Sequence, residues 1–412
     1  MKRNKIILYG HFGSGNIGND SSFEAALFHA RKYRPDAELI CVCNGSHEIT
    51  RRFGIEALPM SGVHADNLSS GGFGSRIKRI LMRLTDEILF WVKRPAWYQP
   101  GDLFIVVGTG AVDDMAVRRP WHSPYELYKW CKTAKMGGAK VIFLSVGVGP
   151  IVNRTSKFLM LKALKMADYR SYREKAAFDY LHGIGYDTTG DLLYPDLVFS
   201  LPIDSLSGSE KTRSAEKVVG LGVINYYGWH HDPSSGESVY QEYFSKIRQF
   251  TSWLLQKGYK VRIISGDTTD LRPVHELAAS MAKGGEPDGQ EELSVPKITN
   301  INELFEQIAQ TDIVVASRFH NVLCALMLDH PVISLGYHDK NTNLMAEMGL
   351  ESYCQYIEHF TVEKLIEQFE CYSSGREQAV QHIHNKNEQY RQLLDEQYRK
   401  IFLAADIKTS SQ

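Results

Sequence analysis

Ser317, Arg318 and His320 stand within four residues of one another, directly after the apolar run at 313–316. A stretch of helical length follows them. The pattern then repeats: Pro331, an apolar run, and the cluster Tyr337, His338, Asp339 and Lys340. This spacing predicts a strand, Ser317 as a helix N-cap, and Arg318 and His320 in the first helical turn. Unsatisfied backbone N–H groups and the helix dipole make that turn favourable for an anion. Arginine adds a planar fork suited to phosphate or carboxylate, and histidine adds a group that gives or takes a proton near neutral pH. Lys340 is expected beside them, because consecutive strand–helix units usually neighbour each other. Together they suit a small, multiply charged anion. The competing reading is a surface arginine next to a histidine satisfied in the core.

Three glycine-rich loops have similar placement. HFGSGNIGND, residues 11–20, follows an apolar run and precedes a helical pattern. Gly13, Gly15 and Gly18 match the dinucleotide-binding spacing, with a helix N-terminus ready for a phosphate. The acid expected at the end of the second strand is missing, since CVCNG occupies that place. A tight turn with no ligand explains the loop equally. GTGAVDD (108–114) and SVGVGP (145–150) would let the backbone at Gly108, Gly110, Gly147 and Gly149 line a ligand. Asp113 and Asp114 are candidates for metal binding or proton transfer, or ordinary helix caps. Tyr226, Tyr227 and Trp229 could stack on sugar faces or pack a loop.

The elements that must position these residues alternate strand and helix. KIILYG, ELICVCN, DLFIVVG and KVIFLSV read as strands, with helices over YELYKWCKTAKM, KFLMLKALKMA and REKAAFDYLHG. A polar stretch at 203–217 reads as a linker, and the rhythm then restarts with KVVGLGVI, KVRIISGD, DIVVAS and PVISLGY as strands. The expected fold class is α/β, with two Rossmann-like domains facing a cleft at 1–205 and 206–412. The last segment, 375–405, reads as one helix or two, with the option of packing back on the first domain. One segment breaks the rhythm. Residues 76–94, RIKRILMRLTDEILFWVKR, form a basic amphipathic helix with six basic and two acidic residues. Such a helix can lie on an anionic membrane, or pack on the domain with its basic face in solvent.

The 412 residues are 43% hydrophobic and 23% charged, with formal net charge −1. This is an ordinary globular composition, and nothing in the charge favours nucleic acid as a partner. The six cysteines form no CxxC pair and read as buried free thiols. The basic start MKRNK precedes too short an apolar run for a signal peptide, and no stretch reaches the ~18 apolar residues of a membrane span. The expected location is cytoplasmic, with the inner face of the cell membrane as a peripheral option.

The ordered set of motifs resembles the polysaccharide pyruvyl transferase family. GNIGND (15–20), VVGTGAVDD (106–114), SVGVGP (145–150), SYRE (171–174), PDLVFSL (195–201), SRFH (317–320) and YHDK (337–340) occur in that family's order. Asn19–Asp20 replaces its usual Asp–Glu, Thr109 the middle glycine of its GGG loop, and Glu174 its usual aspartate. The resemblance implies a glycosyltransferase-B-like fold and transfer of pyruvate from phosphoenolpyruvate to a sugar as a ketal. It implies no cofactor and no metal. The acceptor would be a cell-surface glycan or its lipid-linked precursor. His320 and Arg318 become the catalytic candidates. Arg173, Ser317, Lys340, Gly15, Asn16, Gly18, Gly108, Gly110 and Asp113 become the substrate-binding candidates. The alternatives are a nucleotide-sugar glycosyltransferase of the same fold and a glycan-binding relative without activity.

Overall fold

The computed structural model describes residues 3–61, 73–114, 119–202, 217–228, 236–265, 268–282, 293–298 and 300–403. The expected linker, except Lys217, and Trp229 lie outside the described residues. Two compact units result: Met1–Leu201 with Tyr390–Gln412, and Pro202–Gln389. The division is therefore not a single cut near 205, since the chain from Tyr390 onward belongs with the first unit.

The first unit runs β1 (Lys5–Gly10), α1 (Ile17–Tyr33), β2 (Glu38–Cys43), α2 (Ser46–Phe53), β3 (Glu56–Pro59), α3 (Phe73–Lys93), β4 (Leu103–Val107), α4 (Ser123–Met136), β5 (Lys140–Val146), α5 (Arg154–Lys165), β6 (Tyr169–Tyr172), α6 (Lys175–Gly183) and β7 (Leu192–Leu193). The second runs β8 (Val218–Gly222), α7 (Gly236–Gln256), β9 (Lys260–Ile263), α8 (Leu271–Ala282), β10 (Leu293–Ser294), α9 (Ile301–Ala309), β11 (Ile313–Ala316), α10 (Phe319–Met327), β12 (Val332–Gly336), α11 (Asp339–Glu347), β13 (Cys354–Tyr356) and α12 (Val362–Ser374). The single helix α13 (Arg376–Leu403) contributes to both units.

Both sheets are parallel, and their orders match: β3-β2-β1-β4-β5-β6-β7 and β10-β9-β8-β11-β12-β13. The central strands β1, β4, β11 and β12 are buried at every position. Parallel strands are sheltered on both faces, so they read as continuous apolar runs. That is why the sequence shows them. The edge strands β3, β7, β10 and β13 are short and half exposed. They carry no such run and escape sequence reading, as do α2, α8, α11 and α12. Phe104, Val106, Phe143 and Trp130 centre one core, and Leu221, Val315, Ile333 and Phe250 the other.

Strand order reverses between β1 and β4 in the first sheet and between β8 and β11 in the second. The crevice beyond the carboxyl ends at such a reversal is where doubly wound sheets bind ligands. All six cysteines are free, but Cys354 is only partly buried and Cys371 is exposed. Burial thus holds for Cys41, Cys43, Cys131 and Cys324 only.

Candidate active site

The second unit presents the cations. β11 pairs directly with β12 through Val314↔Val332, Val315↔Ile333 and Ala316↔Ser334. Arg318 and His320 therefore follow one strand and Lys340 the next, at one sheet edge. A side chain fastens the two turns together: the Asn341 amide donates to the Ser317 carbonyl (3.1 Å) and to Ser334 Oγ (3.3 Å). α11 is capped by the His338 imidazole, which accepts from the Lys340 N–H at 3.3 Å.

The N-cap of α10 is Arg318, not Ser317. The Ser317 N–H donates to the Gly222 carbonyl at 3.2 Å, so the strand pairing continues one residue beyond β11. Ser317 is fully buried, with Oγ 3.5 Å from the Tyr243 hydroxyl. It supports the turn from beneath. Arg318 makes no side-chain cap, since a guanidinium only donates and cannot accept a helix N–H. Nε and Nη2 grip the Asp270 carboxylate at 2.7 and 2.8 Å, and Nη2 also reaches Thr269 Oγ1 at 2.9 Å. Asp270 is fully buried and accepts the Asn225 N–H at 2.9 Å. One carboxylate thus ties together the loops after β8, β9 and β11. A bidentate pair of this kind fixes the plane of the guanidinium. His320 stands half-buried in the first turn of α10, edge-on to Phe319.

The first unit presents a different edge. Gly15 adopts φ +85°, with open space where a side chain would be, so its backbone conformation is what demands glycine. Asn16 caps α1 by accepting the Asn19 N–H at 3.1 Å, and Gly18 is buried inside that helix. The buried Asp20 holds the loop from within, accepting from the Gly13 N–H (2.8 Å) and Arg52 (3.1 Å). Burial still raises its pKa. A Cβ at Gly108 would lie 2.5 Å from the Ser145 carbonyl. Ser145 has φ +46°, beside an irregularity in the β5–β6 pairing. Gly108 is therefore explained by strand packing. Side chains at Gly110 and Gly149 would meet Asp113 at 2.7 and 2.8 Å. The two glycines make room for that aspartate. Asp114 accepts the N–H groups of Val152 and Asn153 at 2.8 and 2.9 Å, which makes it a loop clamp.

Two groups here went unnoticed in the sequence. His11 follows β1, and its Nδ1 lies 2.9 Å from the amide nitrogen of Asn44, which follows β2. An amide nitrogen only donates, so the proton sits on His11 Nε2. Burial lowers the His11 pKa, opposed in part by the charge of Asp113 and the bond to Asn44. Asn44 occupies the place of the acid in a dinucleotide-binding fold.

Arg173 follows β6 in the first unit. Its Nε donates to Glu174 and its Nη1 to Asp196, both at 2.9 Å. Two carboxylates already balance it. Among the aromatic candidates, Tyr226 is buried and donates to Glu358, so it belongs to the core. Tyr227 is more exposed, stacking on Tyr240 and bonded to Arg272.

A family model described as polysaccharide pyruvyl transferase matches residues 16–339. No curated protein sequence matches. Among solved structures, Anabaena HepE in complex with UDP and glucose aligns with TM-score 0.58 at 10% identity, covering 98% of this chain and 100% of that one. UDP-GlcNAc 2-epimerase from Neisseria meningitidis, bound to UDP-GlcNAc, aligns with TM-score 0.58 at 11% identity, covering 95% and 98%. The same-named enzyme from Methanocaldococcus jannaschii gives 0.55 at 12%, covering 90% and 92%. These likenesses establish a glycosyltransferase-B-like fold of two Rossmann-like domains.

Proposed function

The chain belongs to the polysaccharide pyruvyl transferase family, and from that premise we propose that it transfers pyruvate from phosphoenolpyruvate to a sugar, closing a ketal across two hydroxyls. The acceptor in this reading is a cell-surface glycan or its lipid-linked precursor. The observation that supports it is the second unit's sheet edge, where Arg318, held by Asp270, shares a switch-point rim with His320 and Lys340. The N-termini of α10 and α11 open on the same rim. Phosphoenolpyruvate carries a phosphate and a carboxylate and needs several such contacts.

In this mechanism His320 protonates the methylene carbon of the enol, which makes the central carbon electrophilic. A sugar hydroxyl adds there and gives up its proton. The C–O bond to phosphate breaks, and inorganic phosphate leaves with the bonding electrons. The second hydroxyl then adds at the same carbon, loses its proton, and completes the ketal. Arg318 and Lys340 stabilise charge on the departing phosphate. The first unit's rim, with Gly15, Asn16, Gly18, Gly108, Gly110 and Asp113, is assigned to the acceptor. Arg173, bonded to Glu174 and Asp196, is assigned to shaping that rim.

The test is to incubate the protein with phosphoenolpyruvate and a panel of glycan acceptors, reading phosphate release and the mass of added pyruvate. Pyruvylated product with stoichiometric phosphate is expected. Release of a nucleotide from a sugar nucleotide, with none of phosphate from phosphoenolpyruvate, would establish the glycosyltransferase reading instead.

A further inference from the structure

Over residues 84–92, α3 leaves an apolar stripe exposed. Leu84, Ile88 and Val92 follow one another at four-residue spacing and so form one stripe, 55%, 63% and 70% exposed, with Leu89 beside them at 42%. The opposite side does the packing. Phe90 lies edge-on to Trp130, and Glu87 accepts from Trp91 and Lys129 at 2.9 and 3.2 Å. Of the predicted apolar face, Trp91 is thus turned to the domain, while Leu84, Ile88 and Val92 are left exposed. Next to α3, Trp91 bonds the Tyr125 hydroxyl (3.2 Å), and Trp121 stands edge-on to Tyr125 at 6.0 Å. Trp121 is itself 70% exposed.

We propose that this stripe, with Trp121, docks the protein on an anionic lipid surface. The charge points to that occupant. Residues 76–94 carry six basic groups against two acidic ones; Arg94 packs inward over Phe90, Trp97 and Trp130 and Glu87 is bonded inward, which leaves five basic groups against one acid. Lys93 and Arg119 are exposed beside the stripe and the tryptophan, placed to reach headgroups while the apolar side chains enter the acyl boundary. A second copy of the chain is disfavoured, since a two-fold contact through this helix would oppose like charges. Among the described residues no helix is long and apolar enough to cross a membrane, so the contact lies in the interface plane. Access to a lipid-linked acceptor would follow only if the transferase reading holds; the lipid contact does not depend on it.

The experiment is sedimentation of the full chain with vesicles of phosphatidylcholine alone and with vesicles of equal parts phosphatidylcholine and phosphatidylglycerol. Pelleting with the anionic vesicles, weakened by salt, is expected. The double variant Ile88→Ser, Val92→Ser should bind about tenfold more weakly or worse, and Leu84→Ser should weaken binding in the same direction. Phe158→Ser, at an exposed apolar position elsewhere, should leave it unchanged. All these positions are exposed, and circular dichroism checks that each variant is folded. Absence of pelleting, equal pelleting of the double variant, or a lipid-independent dimer abolished by the same substitutions would each overturn the proposal. Phosphate release without added lipid is measured in parallel, so loss of the lipid contact and loss of the transferase activity are told apart.

Discussion

In the first unit, the loops at the sheet edge are opened by glycine and held by internal carboxylates. Asp20 holds Gly13, Asp114 holds Val152 and Asn153, and Arg173 is divided between Glu174 and Asp196. In the second unit, a single buried carboxylate, Asp270, orients one arginine, while a histidine and a lysine stand in the first turns of adjacent helices. Both sheets share one strand order and one switch point. Topology therefore decides where each unit offers a ligand site, and side chains decide which ligand suits it. The first edge is built of glycines and internally bonded acids, and the second carries cations beside two helix N-termini; the proposed function rests on that difference.

The sharpest break in this contrast should come from His320→Gln, which removes the proposed acid and leaves a similar shape. The expected loss is about 10²–10⁴-fold in kcat, read by phosphate release. Near-normal turnover would deny the second edge its proton-transfer role. Asp270→Asn should follow. It leaves Arg318 without its buried counter-charge and should lower unfolding stability by about 3 kcal/mol, measured by denaturant titration. Phosphoenolpyruvate binding should weaken with it, because the guanidinium loses its fixed plane. Unchanged binding would mean that Arg318 does not contact the donor.

Acid should act on the first unit next. His29 is buried there, stacked on Tyr398 at 3.9 Å between ring centroids, and burial lowers its pKa to about 4. The unfolded chain takes up its proton near pH 6.5, so this contribution to stability is complete above that pH and is lost as pH falls toward 4. The expected loss at pH 5 is about 2 kcal/mol. His29→Phe should flatten the pH dependence of the thermal midpoint between pH 7 and 5; an unchanged slope would rule His29 out as its source. Gly108→Ala is expected to cost about 1–3 kcal/mol through its clash with Ser145. Wild-type stability would show that the two strands can part. The smallest effect is expected from Asp113→Asn, which should lower the His11 pKa by removing the charge that raises it, followed in an NMR titration of the imidazole. A raised or unmoved value would mean that the two groups do not sense each other.

Much of the contrast is legible in the residues themselves. SRFH and YHDK flag the second edge because arginine, histidine and lysine have few reasons to crowd the end of an apolar run. The neighbouring order of β11 and β12 follows from their position in the chain. Asp270 is not legible, since Thr-Thr-Asp before a helix reads as an ordinary cap and nothing local says that the carboxylate reaches Arg318, 48 residues on. His11 escapes for the same reason: its partners Asn44 and Asp113 arrive from the ends of two other strands. The glycines carry a second demand that the sequence does not show: a side chain at Gly108 would meet the Ser145 carbonyl, and one at Gly110 the Asp113 carboxylate.

The sequence alone determined the alternation of strands and helices, because central parallel strands must be apolar throughout and helices carry their own period. It also determined the family, through motifs that keep their order along the chain. Only the tertiary structure decided which charges are balanced from within, as at Arg173 and Arg318, and which side of α3 faces outward. Those outcomes depend on contacts between residues far apart in the chain, and local pattern carries no record of them.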